Sequence, residues 1–154
     1  MAEELINVFV SHYHNDEENI GKMKELLGDR YNIRNYSVTS DKYNNAKNED
    51  YIKSMLRPLI KQAGTFICLI GPNTHESKWV NWEIDQAIKQ GKRIVGVYLR
   101  GAKDSDIPPA LEDGADAMVG WNHDSIIDAI NGNSSFTNAD GSVRASVGMT
   151  RITC

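Results

Sequence analysis

Glu83, in the stretch Ser77 to Gln90 (SKWVNWEIDQAIKQ), is the residue of this chain whose setting most invites a chemical role. Val80, Ile84, Ala87 and Ile88 recur at i, i+4, i+7 and i+8, the spacing of a helix with one buried stripe. Ser77 is a natural N-cap for that helix and Gly91 a natural stop. At roughly 100° per residue, Glu83 falls beside the apolar stripe, on the same ridge as Trp79 one turn earlier. The pattern predicts a carboxylate at the edge of the core beside an indole. Burial penalises the ionised form, so an acid in that place reaches out to solvent, pairs with a cation, or has work to do. The helix alone leaves these readings open.

Other reactive side chains form no recognisable centre. The histidines His12, His14, His75 and His123 have no metal-ligand spacing, and no metal site is expected. Neither a Walker A loop nor the Rossmann glycine fingerprint is present. Ser77 lacks the flanking pattern of a nucleophile elbow, and capping accounts for it. Cys68 lies in an apolar run and Cys154 is the last residue, so both are expected as free thiols.

The elements that must position Glu83 follow from periodicity. Leu5 to Ser11 (LINVFVS) reads as a buried first strand, and His12 to Asn15 as the turn after it. Asp16, Glu17 and Glu18 open a helix whose stripe is Ile20, Met23 and Leu27, ending at Gly28. Asn32 to Thr39 is a second strand, and the polar Ser40 to Lys47 its loop. Asn48, Glu49 and Asp50 begin a helix with Ile52, Met55, Leu56, Leu59 and Ile60 inward, which Pro58 should kink or interrupt. Gly64 to Gly71 (GTFICLIG) is the central strand and Lys92 to Leu99 (KRIVGVYL) the fourth. Gly101 to Pro109 is a loop, extended at Ile107-Pro108-Pro109, and Ala117 to Gly120 an edge strand before a helix over Asp124 to Ile130. Residues 1–131 are read as the domain. The polar remainder, 132–154, is an extension or a packed hairpin, with Val143, Ala145, Val147 and Met149 alternating.

Alternating strands and helices predict an α/β fold with a five-stranded parallel sheet covered on both faces, in the flavodoxin-like order 2-1-3-4-5. Ligands in such folds bind outside the carboxyl ends of the strands, at the switch point. The loops His12 to Asn15 and Pro72 to Ser77 flank that point, and the Glu83 helix starts there. A phosphorelay receiver is excluded, because the third strand ends Leu69-Ile70-Gly71 where an aspartate would be needed. The first loop, Ser11-His12-Tyr13-His14-Asn15, is a poor cradle for a flavin phosphate. With 17 basic against 21 acidic residues and a net charge of -4, the chain has no electrostatic footprint for nucleic acid or an anionic membrane. Its first residues, MAEELINVFV, lack the basic region of a signal peptide, and no apolar run reaches membrane-spanning length, so a cytoplasmic protein is expected.

In order and spacing, VFVSHYHND, LIGPNTHESKWVNWEIDQA, KRIVGVYL, DIPPAL and Trp121-Asn122 resemble the bacterial Toll/interleukin-1 receptor (TIR)-like domains of Thoeris antiphage systems. The resemblance spans about residues 5 to 131. It implies a TIR fold whose helix glutamate, here Glu83, acts on NAD as substrate, with no cofactor. Ser11, His12 and Tyr13 would line the nucleotide pocket from the first loop, and Thr74, Ser77 and Trp79 from the other side. It further implies a phage-derived trigger, a cyclic ADP-ribose-type or related messenger, and a separate effector reached through that diffusible nucleotide. Assembly with other copies is a further expectation.

The chemistry is coherent with one acid. Nicotinamide leaves as a neutral molecule, so no proton donor is needed, and the oxocarbenium-like ribose is what a carboxylate would stabilise. Two other readings stand beside it. One is a TIR module that only assembles, which needs no acid at position 83. The other is a nucleoside deoxyribosyltransferase with a glutamate nucleophile, which would exchange bases on deoxynucleosides and leave NAD untouched.

Overall fold

The computed structural model describes residues 6–13, 18–34 and 49–142. Its strands are β1 (Ile6–Ser11), β2 (Tyr31–Arg34), β3 (Thr65–Ile70), β4 (Arg93–Tyr98) and β5 (Ala117–Val119). Between and after them lie α1 (Glu18–Leu27), α2 (Glu49–Gln62), α3 (Lys78–Lys89), α4 (Pro109–Gly114) and α5 (His123–Ile130). Short 3-10 turns occupy Thr74–Glu76 and Asp104–Asp106. The sheet order is β2-β1-β3-β4-β5 and every pair is parallel, the flavodoxin-like topology.

Side chains alternate across the sheet with period two, and this builds two cores. Phe9, Phe66, Cys68, Ile70 and Ile94 face one side, where α2 and α3 deliver Ile52, Leu56, Ile60, Val80, Ile84 and Ala87. Val8, Val10, Ile67, Leu69, Val95 and Val97 face the other and meet Met23 and Leu27 of α1 and Ile126 and Ala129 of α5. The Phe9 and Phe66 rings stack at 5.4 Å between centroids. Gly96, paired with Cys68 in register, leaves room for Ile70 and Leu111, whose methyls lie 3.2 and 3.1 Å from where a Cβ would stand.

Several details depart from the sequence reading. α2 continues through Pro58, which faces solvent, while Ile52, Leu56 and Ile60 hold the helix to the sheet on both sides of it. Ile88 is 41% exposed instead of joining the core stripe. Its Cδ1 lies over α4, 2.5 Å from where a Cβ on Gly114 would stand. The loop after β4 contains a helix, α4, which Pro109 opens with a backbone angle already suited to a first helical turn. β2 starts at Tyr31, one residue before the expected Asn32. The rest of that strand's expected range and the Ser40 to Lys47 loop fall outside the described residues, as do Val143, Ala145, Val147 and Met149.

Residues 135–139, beyond α5, pack on the sheet. Met118 N–H donates to Ser135 O at 2.8 Å and Thr137 N–H to Met118 O at 2.9 Å, a parallel bridge that covers β5. Tyr98 Oη donates to Thr137 O, and Ala139 N–H to Asp104 Oδ1, at 2.8 and 2.7 Å. Among the described residues no helix is long and apolar enough to cross a membrane.

Candidate active site

α3 brings Glu83 to the sheet. Ser77 Oγ accepts the Val80 N–H at 3.2 Å, satisfying one of the donors a helix start leaves open, and Gly91 follows the helix at φ 70°. Val80, Ile84 and Ala87 then turn one face inward, and Glu83, adjoining them, goes in with it at 6% exposure. The acid does not reach out to solvent, and among the described residues no cation pairs with it. Its partner is Ser11, the last residue of β1, whose hydroxyl donates to Glu83 Oε1 at 2.7 Å.

The end of β1, the middle of β3 and one helix therefore meet at a single polar point. Ser11 pairs in register with Cys68, and both lie on the α3 side of the sheet, as period two from Phe9 and Phe66 requires. Burial pushes the Glu83 carboxyl up to about 8, with the Ser11 hydrogen bond pulling the other way. Burial, and then the adjacent Glu83 carboxylate, push the Cys68 thiol well above its ordinary range. Cys68 is thus an inert wall of the site. Its position was not legible in the sequence, because nothing in a single strand tells which residue of the next strand lies level with Ser11.

The other expected residues lie just after β1, in the turn after β3 and at the start of α3. His12 and Tyr13 continue directly from Ser11 and are half-buried. Trp79 sits half-buried one turn before Glu83 and meets Trp82 edge to face at 6.0 Å. Lys53 and Arg57 of α2 lie 5.7 and 5.5 Å from the Trp82 ring, which joins the two helices by cation–π contact. Thr74 is fully buried, and its hydroxyl accepts the Gly71 N–H at 2.8 Å, so it holds the turn after β3. Ser77 serves as the helix cap. A cleft of about 450 Å³ opens elsewhere, between Val119 and Gly120, Ser125 and Asp128 of α5, and Asn133 to Ser135. It takes in none of the expected site residues, and no buried acid stands in it. Among the described residues no cluster of ligands could hold a metal ion.

The family model of the Thoeris protein ThsB, TIR-like domain, matches residues 9–104, more than half of the chain. The chain belongs to this TIR-like family. The matched span of the TIR-like chain contains Ser11, His12, Tyr13, Thr74, Ser77, Trp79 and Glu83. Among solved structures it is similar to the CMP N-glycosidase BcmB of Clostridium botulinum, with TM-score 0.51 and 17% identity over 81% of this chain and 98% of that one. That likeness shows the fold. A 3-dehydroquinate dehydratase-like protein from Bifidobacterium longum aligns at TM-score 0.41 and 10% identity over 84% of this chain and 94% of that one, too distant to carry an argument. No curated protein matches the TIR-like chain.

Proposed function

We propose that this TIR-like chain cleaves the nicotinamide–ribose bond of NAD at Glu83 and makes a cyclic ADP-ribose-type or related ADP-ribosyl messenger that activates a separate effector in antiphage defence. One observation supports this reading above the rest: a carboxyl group buried at the carboxyl end of the sheet, whose partner among the described residues is a single serine hydroxyl. A structural acid in that position would be expected to have a cation or several N–H donors. Among the described residues Glu83 has neither, which leaves its charge for a ligand.

The proposed step breaks the ribose C1′–N bond. The bonding pair goes to the nicotinamide nitrogen, nicotinamide departs neutral, and positive charge moves to the ribose. The Glu83 carboxylate stabilises that charge. Water then attacks C1′ and loses a proton, giving ADP-ribose, or a nucleophile within the same ADP-ribose attacks and loses its proton, giving a cyclic product. With its proton affinity raised to about 8, Glu83 is mostly protonated in the unliganded protein at neutral pH. The cationic nicotinamide ring of bound NAD favours the ionised form, so binding of substrate lowers the proton affinity of Glu83 and its proton is released to solvent. Ser11 remains as donor to the carboxylate so formed.

The fold's resemblance to a protein described as a CMP N-glycosidase is in keeping with N-glycosidic chemistry and names a competing substrate. The test is incubation of the purified protein and its Glu83→Gln variant with NAD or with CMP, with and without lysate from phage-infected cells, products being resolved by mass spectrometry. Nicotinamide release with an ADP-ribose-derived product, absent from the variant, is expected. Cytosine release from CMP alone would move the assignment to another nucleotide. Turnover of neither, by folded protein, would favour a TIR module that acts by assembly.

A further inference from the structure

Besides Glu83, one other charged side chain is buried among the described residues: Asp106, 8% exposed, in the turn after β4. Its two oxygens are used differently. Oδ2 accepts the Lys103 N–H at 2.9 Å and so closes Asp106's own turn. Oδ1 crosses to the loop after β3, where it accepts the Asn73 N–H at 3.3 Å and lies 3.8 Å from Nδ1 of His75. That imidazole nitrogen is itself buried with no hydrogen-bond partner.

What Asp106 holds is an unfavourable piece of backbone. Asn73 has φ 70°, the one described non-glycine residue in the left-handed region, a conformation that needs support from its surroundings. The turn Thr74–Glu76 follows directly, with Thr74 N–H on Gly71 O and Ser77 N–H on Thr74 O. Ser77 then caps α3, and Asn81 Nδ2 ties that first helical turn back to the carbonyls of His75 and Ser77 at 3.1 and 2.9 Å. A continuous set of hydrogen bonds runs from Asp106 through Asn73 to the start of the helix that carries Glu83.

We infer that Asp106 is a positioning residue: from the loop after β4 it holds the segment Asn73 to Ser77, and with it the wall of the site on which Trp79 stands, in the form that receives substrate. The substrate half of this inference rests on the NAD reading above. Glu83 is anchored separately, by Ser11 and by the buried stripe of α3, so loosening the wall weakens capture more than it displaces the acid.

Asp106→Asn tests this, because its amide nitrogen cannot accept and one of the two backbone donors loses its partner. With NAD as substrate, KM is expected to rise about tenfold with kcat within about threefold of wild type. A purely structural role would leave fewer folded molecules, lowering kcat at unchanged KM, and that result overturns the inference. Hydrogen exchange read by mass spectrometry on the same variant gives an answer that does not need turnover. Peptides covering 71–81 should exchange faster while the β3 peptide 65–70 stays protected. Unchanged exchange at 71–81 overturns the inference even if wild-type protein cleaves NAD. Faster exchange there with a wild-type protein inert toward NAD would retain the loop role and reject the substrate reading instead.

Discussion

Ser11 Oγ and Glu83 Oε1 stand 2.7 Å apart across 72 positions of sequence, joining the end of the first strand to the second turn of α3. The protonation of the acid is set from two directions. Closing α3 on the sheet removes water from the carboxyl group and favours its neutral form, while the serine donor favours the charged one, and burial wins. The consequences are measurable.

The rising limb of kcat/KM for NAD should have its midpoint near pH 8, because that parameter reports the free enzyme and the reaction needs the carboxylate. The limb of kcat should lie at lower pH, since bound NAD brings a positive ring beside the acid. Initial rates from pH 5.5 to 9.5 measure both, and coincident limbs would contradict substrate-assisted ionisation.

Glu83→Gln should lower turnover by about 10²- to 10³-fold or more, and it should also stabilise the fold at high pH. The sign follows from linkage: the folded state raises the carboxyl from 4.5 to about 8 and so binds its proton more tightly than the unfolded chain. That contribution is complete below pH 4.5 and lost as pH rises through 8. The glutamine variant has no such loss. Melting curves at pH 5 and pH 9 should therefore show the Tm difference moving in the variant's favour at the higher pH.

Ser11→Ala removes the one donor to the acid among the described residues, which favours its charged form. The kcat/KM limb should shift further to alkaline pH, and kcat/KM at pH 7 should fall about tenfold for each pH unit of that shift. Loss of the buried bond should cost roughly 1 kcal/mol of stability, measured by urea titration. A variant with an unmoved limb would separate Ser11 from control of Glu83.

Cys68 should resist alkylation in the native protein. It is fully buried, and both burial and the carboxyl beside it disfavour the thiolate, the nucleophilic form. Brief treatment with iodoacetamide at pH 8 should leave the peptide containing Cys68 unmodified, and the same treatment in denaturant should label it fully. Native labelling at that peptide would mean that α3 opens from the sheet on the timescale of the reagent.

Much of the fold was legible because its elements are periodic. GTFICLIG is buried on both faces and so is apolar at every position after Thr65, and it became β3, with every residue from Thr65 to Ile70 buried. The Ser77 cap and the Gly91 stop followed from local backbone needs and appear as expected. Ile88 shows where periodicity fails. Its spacing is that of the buried stripe, yet the neighbour available to it is α4, and a six-residue helix leaves it partly open.

The same division runs through the site. The alternation of strands and helices, the helix that carries Glu83 and the placing of that acid beside an apolar face could be read from the residue order, since each depends on residues within a few turns of one another. The enclosure of Glu83, its pairing with Ser11, the level of Cys68 with Ser11 and the hold of Asp106 on the turn before α3 emerge only in the folded chain. These are contacts between separate strands and loops, and their distances depend on sheet register and on how closely helices pack. No local pattern carries that information.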